Sequence, residues 1–137
     1  MKIVSILENQ NIEKRIAVTP EIAKKYISLG FELILSENYG SHLGIKDEEY
    51  VQSGVQIYKD EKEILSIGDI IIQVGFISEE KKSLLKENQI LIGALNPYTN
   101  KEKIKDLINK KLNIFSLELL PRITRAQSMD ILSSQAN

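Results

Sequence analysis

The chain of 137 residues contains no cysteine, which excludes disulfides and thiolate metal sites and fits a reducing compartment. It has one histidine, His42. No second ligand of matching type lies near it, so no metal site is expected; a loop histidine without a chemical role is the simpler reading. Charge of one sign is also missing. Eighteen basic residues face nineteen acidic ones, and a net charge of −1 gives no support for nucleic-acid or membrane-surface binding by charge alone. No stretch approaches the roughly 18 apolar residues of a spanning helix, and Met1–Leu7 is too short for a signal peptide. No segment of the chain is therefore expected to enter a bilayer. The three prolines form no linker, and there is no internal repeat or low-complexity tract. None of the seven glycines builds a Gly-x-Gly-x-x-Gly at the start of a helix; Gly40 and Gly44 only bracket His42. The dinucleotide fingerprint is absent.

What is present is ordinary for a soluble globular domain: 42% hydrophobic and 27% charged residues,. A chain of this length supports one domain, residues 1–137, burying about two-thirds of its unfolded surface. Lys2–Leu7 is β-rich. Thr19-Pro20-Glu21 starts a helix with a cap, a proline at the first helical position and an acid in the first turn. Ile22, Ala23, Tyr26, Ile27 and Leu29 give its buried face, and Gly30 ends it. Phe31–Leu35 is a second strand. Asp47 is expected to cap a short helix to about Ser53, followed by a short strand at Val55–Tyr58 and a helix at Lys59–Ser66. Asp69–Val74 and Gln89–Leu95 are continuous apolar runs, as in strands covered on both faces. Ser78–Glu87 and Asn100–Lys110 read as helices and Leu112–Leu117 as the last strand. Strands alternating with helices predict an α/β, doubly wound, mostly parallel sheet of about five strands with helices on both faces, of the flavodoxin or Rossmann type.

In such sheets ligands gather at the carboxyl ends of strands. Arg15 follows the first strand and could clamp a carboxylate or phosphate; the alternative is a surface salt bridge to Glu8 or Glu13. Gln73 ends the Ile-rich strand, Asn96-Pro97-Tyr98 follow the next, and Glu118 to Asp130 follow the last. Gln73 and Asn96 cannot transfer protons near neutral pH. Each could instead be a polar strand end and nothing more.

The last seventeen residues, from Pro121 to Asn137, read as the start of a helix. Thr124 and Gln127 form a capping box. Met129, Leu132 and Ala136 make an apolar stripe, while Gln127, Asp130, Ser133, Ser134 and Asn137 make a polar, nearly uncharged face. Arg122 and Arg125 sit at the positive end of the helix dipole, at a cost of a few tenths of a kcal/mol that an anion or a carboxylate would offset. A surface helix with arginines paired inside the domain, including an Arg122–Asp130 pair without any ligand, explains the same residues.

Pro-Arg-Ile-Thr-Arg-Ala-Gln-Ser-Met-Asp-Ile-Leu-Ser-Ser-Gln-Ala-Asn closely resembles the motif that closes the first half of the NAD(H)-binding component of proton-translocating NAD(P) transhydrogenases. Glu13-Lys-Arg-Ile-Ala-Val-Thr-Pro20 resembles the opening motif shared by the alanine dehydrogenase and transhydrogenase superfamily. The resemblance implies a domain forming one wall of a nicotinamide cleft, in an enzyme passing a hydride between NADH and NADP⁺ coupled to proton translocation. It implies that Arg122, Gln127, Asp130 and Ser133 contact the nicotinamide end of NAD(H), with Asp130 and Ser133 at the carboxamide, Arg122 at the ribose–phosphate side and Gln127 toward the partner nucleotide. No residue of this chain is then catalytic in its own right. NADP(H) would sit on a partner component, alongside a membrane-embedded one. A homodimer peripheral to the cytoplasmic side of the inner membrane is implied.

The resemblance also implies that a dinucleotide domain follows Asn137. The chain ends inside a helix without a C-cap signal, so a fragment is expected, and alone it should be inactive and bind NAD(H) weakly or not at all. Relatives resembling alanine dehydrogenase carry lysine and histidine where this chain has Gln73 and Asn96. That departure disfavours an amino-acid dehydrogenase, which must move protons as well as hydride. A non-catalytic interaction module and a flavodoxin-like mononucleotide binder are the other readings, the last on fold alone.

Overall fold

A computed structural model describes residues 1–9, 13–94 and 100–116. Six parallel strands form one sheet in the order β3-β2-β1-β4-β5-β6. They are β1 (Lys2–Ser5), β2 (Glu32–Ser36), β3 (Gln56–Tyr58), β4 (Ile70–Ile72), β5 (Ile90–Gly93) and β6 (Asn113–Ser116). This is the doubly wound α/β architecture expected, with six strands instead of about five; the short strand expected at Val55–Tyr58 forms and pairs along β2, Leu35 opposite Ile57.

The connecting helices are α1 (Pro20–Ser28), α2 (Asp47–Gln52), α3 (Glu61–Ile67), α4 (Glu79–Lys82) and α5 (Lys101–Asn109). Local chemistry sets the ends of α1. Thr19 Oγ1 accepts a bond from Ile22 N at 3.2 Å, Pro20 takes the first turn, and Gly30 reverses the chain at φ +97°, a conformation open to glycine. Two expectations change. Asp47 is not the cap of α2. Lys46 holds that position, its N–H donating to Glu49 Oε2 at 2.8 Å, while both Asp47 carboxylate oxygens accept from Asn38 N at 3.0 Å. The helix expected over Ser78–Glu87 contracts to α4, because Leu84 and Leu85 turn onto the core and Lys86 N donates to Gln89 Oε1 at 2.7 Å. The helix expected after Pro121 lies outside the described residues.

Strand alternation sends side chains to two cores. Ile3, Leu33, Leu35 and Ile72 meet Ala23 of α1 and Tyr50 of α2 on one face. Val4, Ile34, Ile71 and Leu91 meet Ile64 and Leu65 of α3 and Leu107 of α5 on the other. The order explains the division. Right-handed crossovers running outward from β1 to β3 place their helices on one face; those that return to β4 and run on to β6 place theirs on the opposite face.

Gly68 joins α3 to β4, and a Cβ there would run into both methyls of Val4, which is fully buried. Valine in a strand has no spare rotamer to give way. Gly68→Ala is therefore expected to destabilise the fold by about 2 kcal/mol, measured by urea unfolding; a midpoint equal to wild type would show that the β1–α3 contact is looser than its geometry.

Candidate functional site

Strands β1 and β4 are neighbours whose connections leave in opposite directions, so the sheet's topological switch point lies between their carboxyl ends. Main-chain pairing between them runs only as far as Val4 opposite Ile71. Beyond it Gln73 substitutes for the missing ladder. Its Oε1 accepts from Ile6 N at 2.7 Å, and its Nε2 donates to Ile6 O at 3.0 Å. A primary amide carries the same donor and acceptor as a peptide group, so one side chain closes both main-chain groups of Ile6.

Two further groups complete the arrangement. Ser5 Oγ stands 2.8 Å from Tyr39 Oη, and its own proton lies between Ile72 O and Gln73 Oε1. Tyr39 Oη in turn accepts from Ala17 N at 3.2 Å, tying the loop after β1 to β2 and β4. Burial pushes the Tyr39 phenol well above its ordinary range, so it stays neutral and acts as a donor. On the other side Gln73 Nε2 donates to Glu8 Oε2 at 2.7 Å. Val74 N donates to the same oxygen at 2.8 Å, and Gly75 N to Oε1 at 3.2 Å.

Glu8 is 7% exposed. Burial pushes its carboxyl up to about 7, against the pull of the three donors, and the charge of Glu13 adds to the rise. In the sequence Glu8 stood out only as a possible salt-bridge partner of Arg15. The signal available was an acid directly after an apolar strand, at the end of the sheet where ligands collect.

Arg15 makes the plainer of its two expected contacts. Its Nη2 lies 2.7 Å from Glu13 Oε1 and its Nε 3.0 Å from Glu13 Oε2, with the side chain half exposed. The Arg15 hydrogen bonds hold the Glu13 carboxyl below its usual range. His42 sits in a short 3₁₀ turn, Ser41–Leu43, and its Nε2 donates to Lys14 O at 2.7 Å, anchoring the same loop. No group of three or more His, Cys, Asp or Glu suited to a metal ion occurs among the described residues. Of the residues singled out from the sequence, the structure brings Gln73 to the switch point and places Arg15 on the loop beside it. Asn96, Arg122, Gln127, Asp130 and Ser133 lie outside the described residues.

A hollow of about 510 Å³ opens at the carboxyl ends of β1 to β3, lined by Leu7, Ser36, Lys59 and Lys81 among others. A second, of about 320 Å³, lies at the opposite end of the strands around Met1, Gly68 and Gln89, where open α/β sheets do not gather ligands. No helix among the described residues is long and apolar enough to cross a membrane.

Residues 6–137 match the family described as alanine dehydrogenase/PNT, N-terminal domain. Over its full length the chain is 42% identical to an NAD(P) transhydrogenase subunit alpha of Rickettsia prowazekii (strain Madrid E), and it covers 37% of that protein. Among solved structures, a transhydrogenase from Sinorhizobium meliloti superposes with a TM-score of 0.84 at 35% identity, over 97% of this chain and 40% of that one. An alanine dehydrogenase of Methanococcus maripaludis is more distant, 29% identical over 87% of this chain and 32% of its own length. The chain thus spans well under half the length of these relatives.

Proposed function

Since the chain belongs to the alanine dehydrogenase/PNT N-terminal domain family, we propose that it forms one wall of the nicotinamide cleft in the NAD(H)-binding component of an NAD(P) transhydrogenase. The enzyme would pass a hydride between NADH and NADP⁺, coupled to proton translocation through a membrane-embedded component, with NADP(H) on a further partner. The component would act as a homodimer, peripheral to the cytoplasmic side of the inner membrane.

The observation that carries this reading is the state of Gln73. Its amide is committed inward to Ile6 and Glu8, at a position where the resemblance implies a lysine in alanine dehydrogenases. Gln73 can neither carry a proton nor polarise a substrate carbonyl. Hydride transfer between two nicotinamides needs no acid or base; amino-acid oxidation does. Ser5, Gln73 and Glu8 spend their polar atoms within the protein, which supports a wall that orients a ring and does not exchange protons with it.

The nicotinamides supply the hydride chemistry when bound. The chain's contribution is orientation: Asp130 and Ser133 at the carboxamide, Arg122 toward the ribose–phosphate and Gln127 toward the second nucleotide. Arg15 is the remaining anion clamp, and it would have to exchange Glu13 for the ligand.

Two measurements test the reading. The intact protein is expected to exchange hydride between NADH and an NADP⁺ analogue and to show no pyruvate amination; amination without exchange would reverse the assignment. The 137-residue chain alone, which contains no Gly-x-Gly-x-x-Gly, is expected to bind NADH with a dissociation constant of about 1 mM or weaker. Micromolar binding by calorimetry would mean that this fingerprint is not needed.

A further inference from the structure

Glu8 is a buried acid at the switch point that hydride transfer does not use. Its two oxygens receive three donors, and all three come from the residues directly after β4: Gln73 Nε2, Val74 N and Gly75 N. Glu8 itself is carried by the segment leaving β1, where Leu7 N is held by Ser36 Oγ at 2.8 Å. One carboxylate therefore clasps the two segments that diverge around the crevice. We infer that Glu8 is a positioning residue for the transhydrogenase: its ionised carboxylate holds the Val74–Gly75 turn in place as the floor of the nicotinamide cleft, and protonation releases that turn. The inference rests on the cleft assignment made above.

The argument is one of donors and acceptors. An ionised carboxylate is acceptor-only, with room for all three donors. A protonated one carries a donor of its own, and the three groups bonded to it among the described residues are all donors. The bond received by the protonated oxygen is then weakened, and the Gln73 amide cannot rotate to help. Ile6 N requires its oxygen and Ile6 O requires its nitrogen. The backbone amides of Val74 and Gly75 are the groups left to move. Among the described residues, the titratable groups bearing on Glu8 are Glu13 and Tyr39. Glu13 stays ionised beside Arg15 and favours protonation of Glu8, while Tyr39 stays neutral. The proton affinity of Glu8 lies close to neutrality, so release falls within a working pH range.

The experiment uses the intact transhydrogenase containing this chain, wild type and Glu8→Gln, at pH 8 and pH 5.5. Hydrogen exchange of the peptide spanning Val74–Gly75, corrected for the intrinsic pH dependence, is read beside NADH affinity. In wild type, protection is expected to fall about tenfold at the lower pH, the loss of one bond to a charged acceptor, and NADH affinity to fall with it. In Glu8→Gln both should become independent of pH. Protection that is equal at the two pH values, or that changes equally in the variant, overturns the clasp while leaving hydride exchange intact. Protection that follows Glu8 while NADH affinity stays flat overturns the positioning role. Absence of hydride exchange at either pH sinks the cleft assignment itself, a separate result.

Discussion

Replacing Gln127 and Asp130 together by alanine in the intact protein is expected to slow hydride exchange between the two coenzymes about a hundredfold, with NAD(H) affinity changed much less. Both residues lie on the polar, nearly uncharged face that the sequence places after Pro121. In the proposed arrangement they hold the nicotinamide carboxamide and reach toward the second nucleotide. Transfer between two rings depends steeply on their separation and angle, and a displacement of about 1 Å costs on the order of a hundredfold in rate. That corresponds to about 2.7 kcal/mol of barrier. Affinity is expected to be spared because these two residues are assigned to the nicotinamide end and not to the pyrophosphate or adenosine. Transient kinetics with NADH and an NADP⁺ analogue separate the two quantities. Exchange at the wild-type rate would remove the assigned role from this face, and a parallel loss of affinity would make these residues binding groups instead of orienting ones.

Stability of the fold is expected to fall as pH rises from about 4.5 to about 7, through Glu8. The Glu8 carboxyl has an ordinary value of 4.5 and is pushed up to about 7 in the folded chain by burial. Between those values the folded state keeps a proton that the unfolded state releases. The contribution is therefore complete below the unfolded value and lost as pH climbs through the folded one. A shift of this size is worth about 3 kcal/mol at most. Other acids titrate too, and Glu13, held low by Arg15, acts in the opposite sense. The comparison that isolates Glu8 is the difference between wild type and Glu8→Gln in urea unfolding at pH 5 and pH 8. Wild type should lose stability relative to the variant as the pH is raised. Curves that stay parallel would mean that Glu8 is better solvated than its 7% exposure implies.

The two expectations on Glu8 pull against each other. Ionisation costs global stability because a charge is buried, yet it tightens the turn after β4 because three donors then have full acceptors. If the proposed cleft holds, a fold retaining such a group at its floor accepts lower stability for a better-defined wall, the pattern seen where local rules are broken at functional sites.

The alternation of strands and helices, the ends of α1 at Thr19 and Gly30, and the apolar β4 and β5 were legible in the chain as written. So were the absence of a proton-transferring side chain at Gln73 and the long motif from Pro121 to Asn137. Each of these is a local property: a period of 2 or 3.6, a cap within four residues, or a contiguous run. Tertiary structure alone decided that Arg15 pairs with Glu13 and not Glu8, that Asp47 serves Asn38 instead of capping α2, and that Gln73 completes the ladder to Ile6. It also decided that Glu8 turns inward to donors 65 to 67 residues away. Whether a carboxylate finds donors or water depends on which strands become neighbours, and that is settled only when the sheet closes distant segments together, because no spacing within the chain records the burial that results.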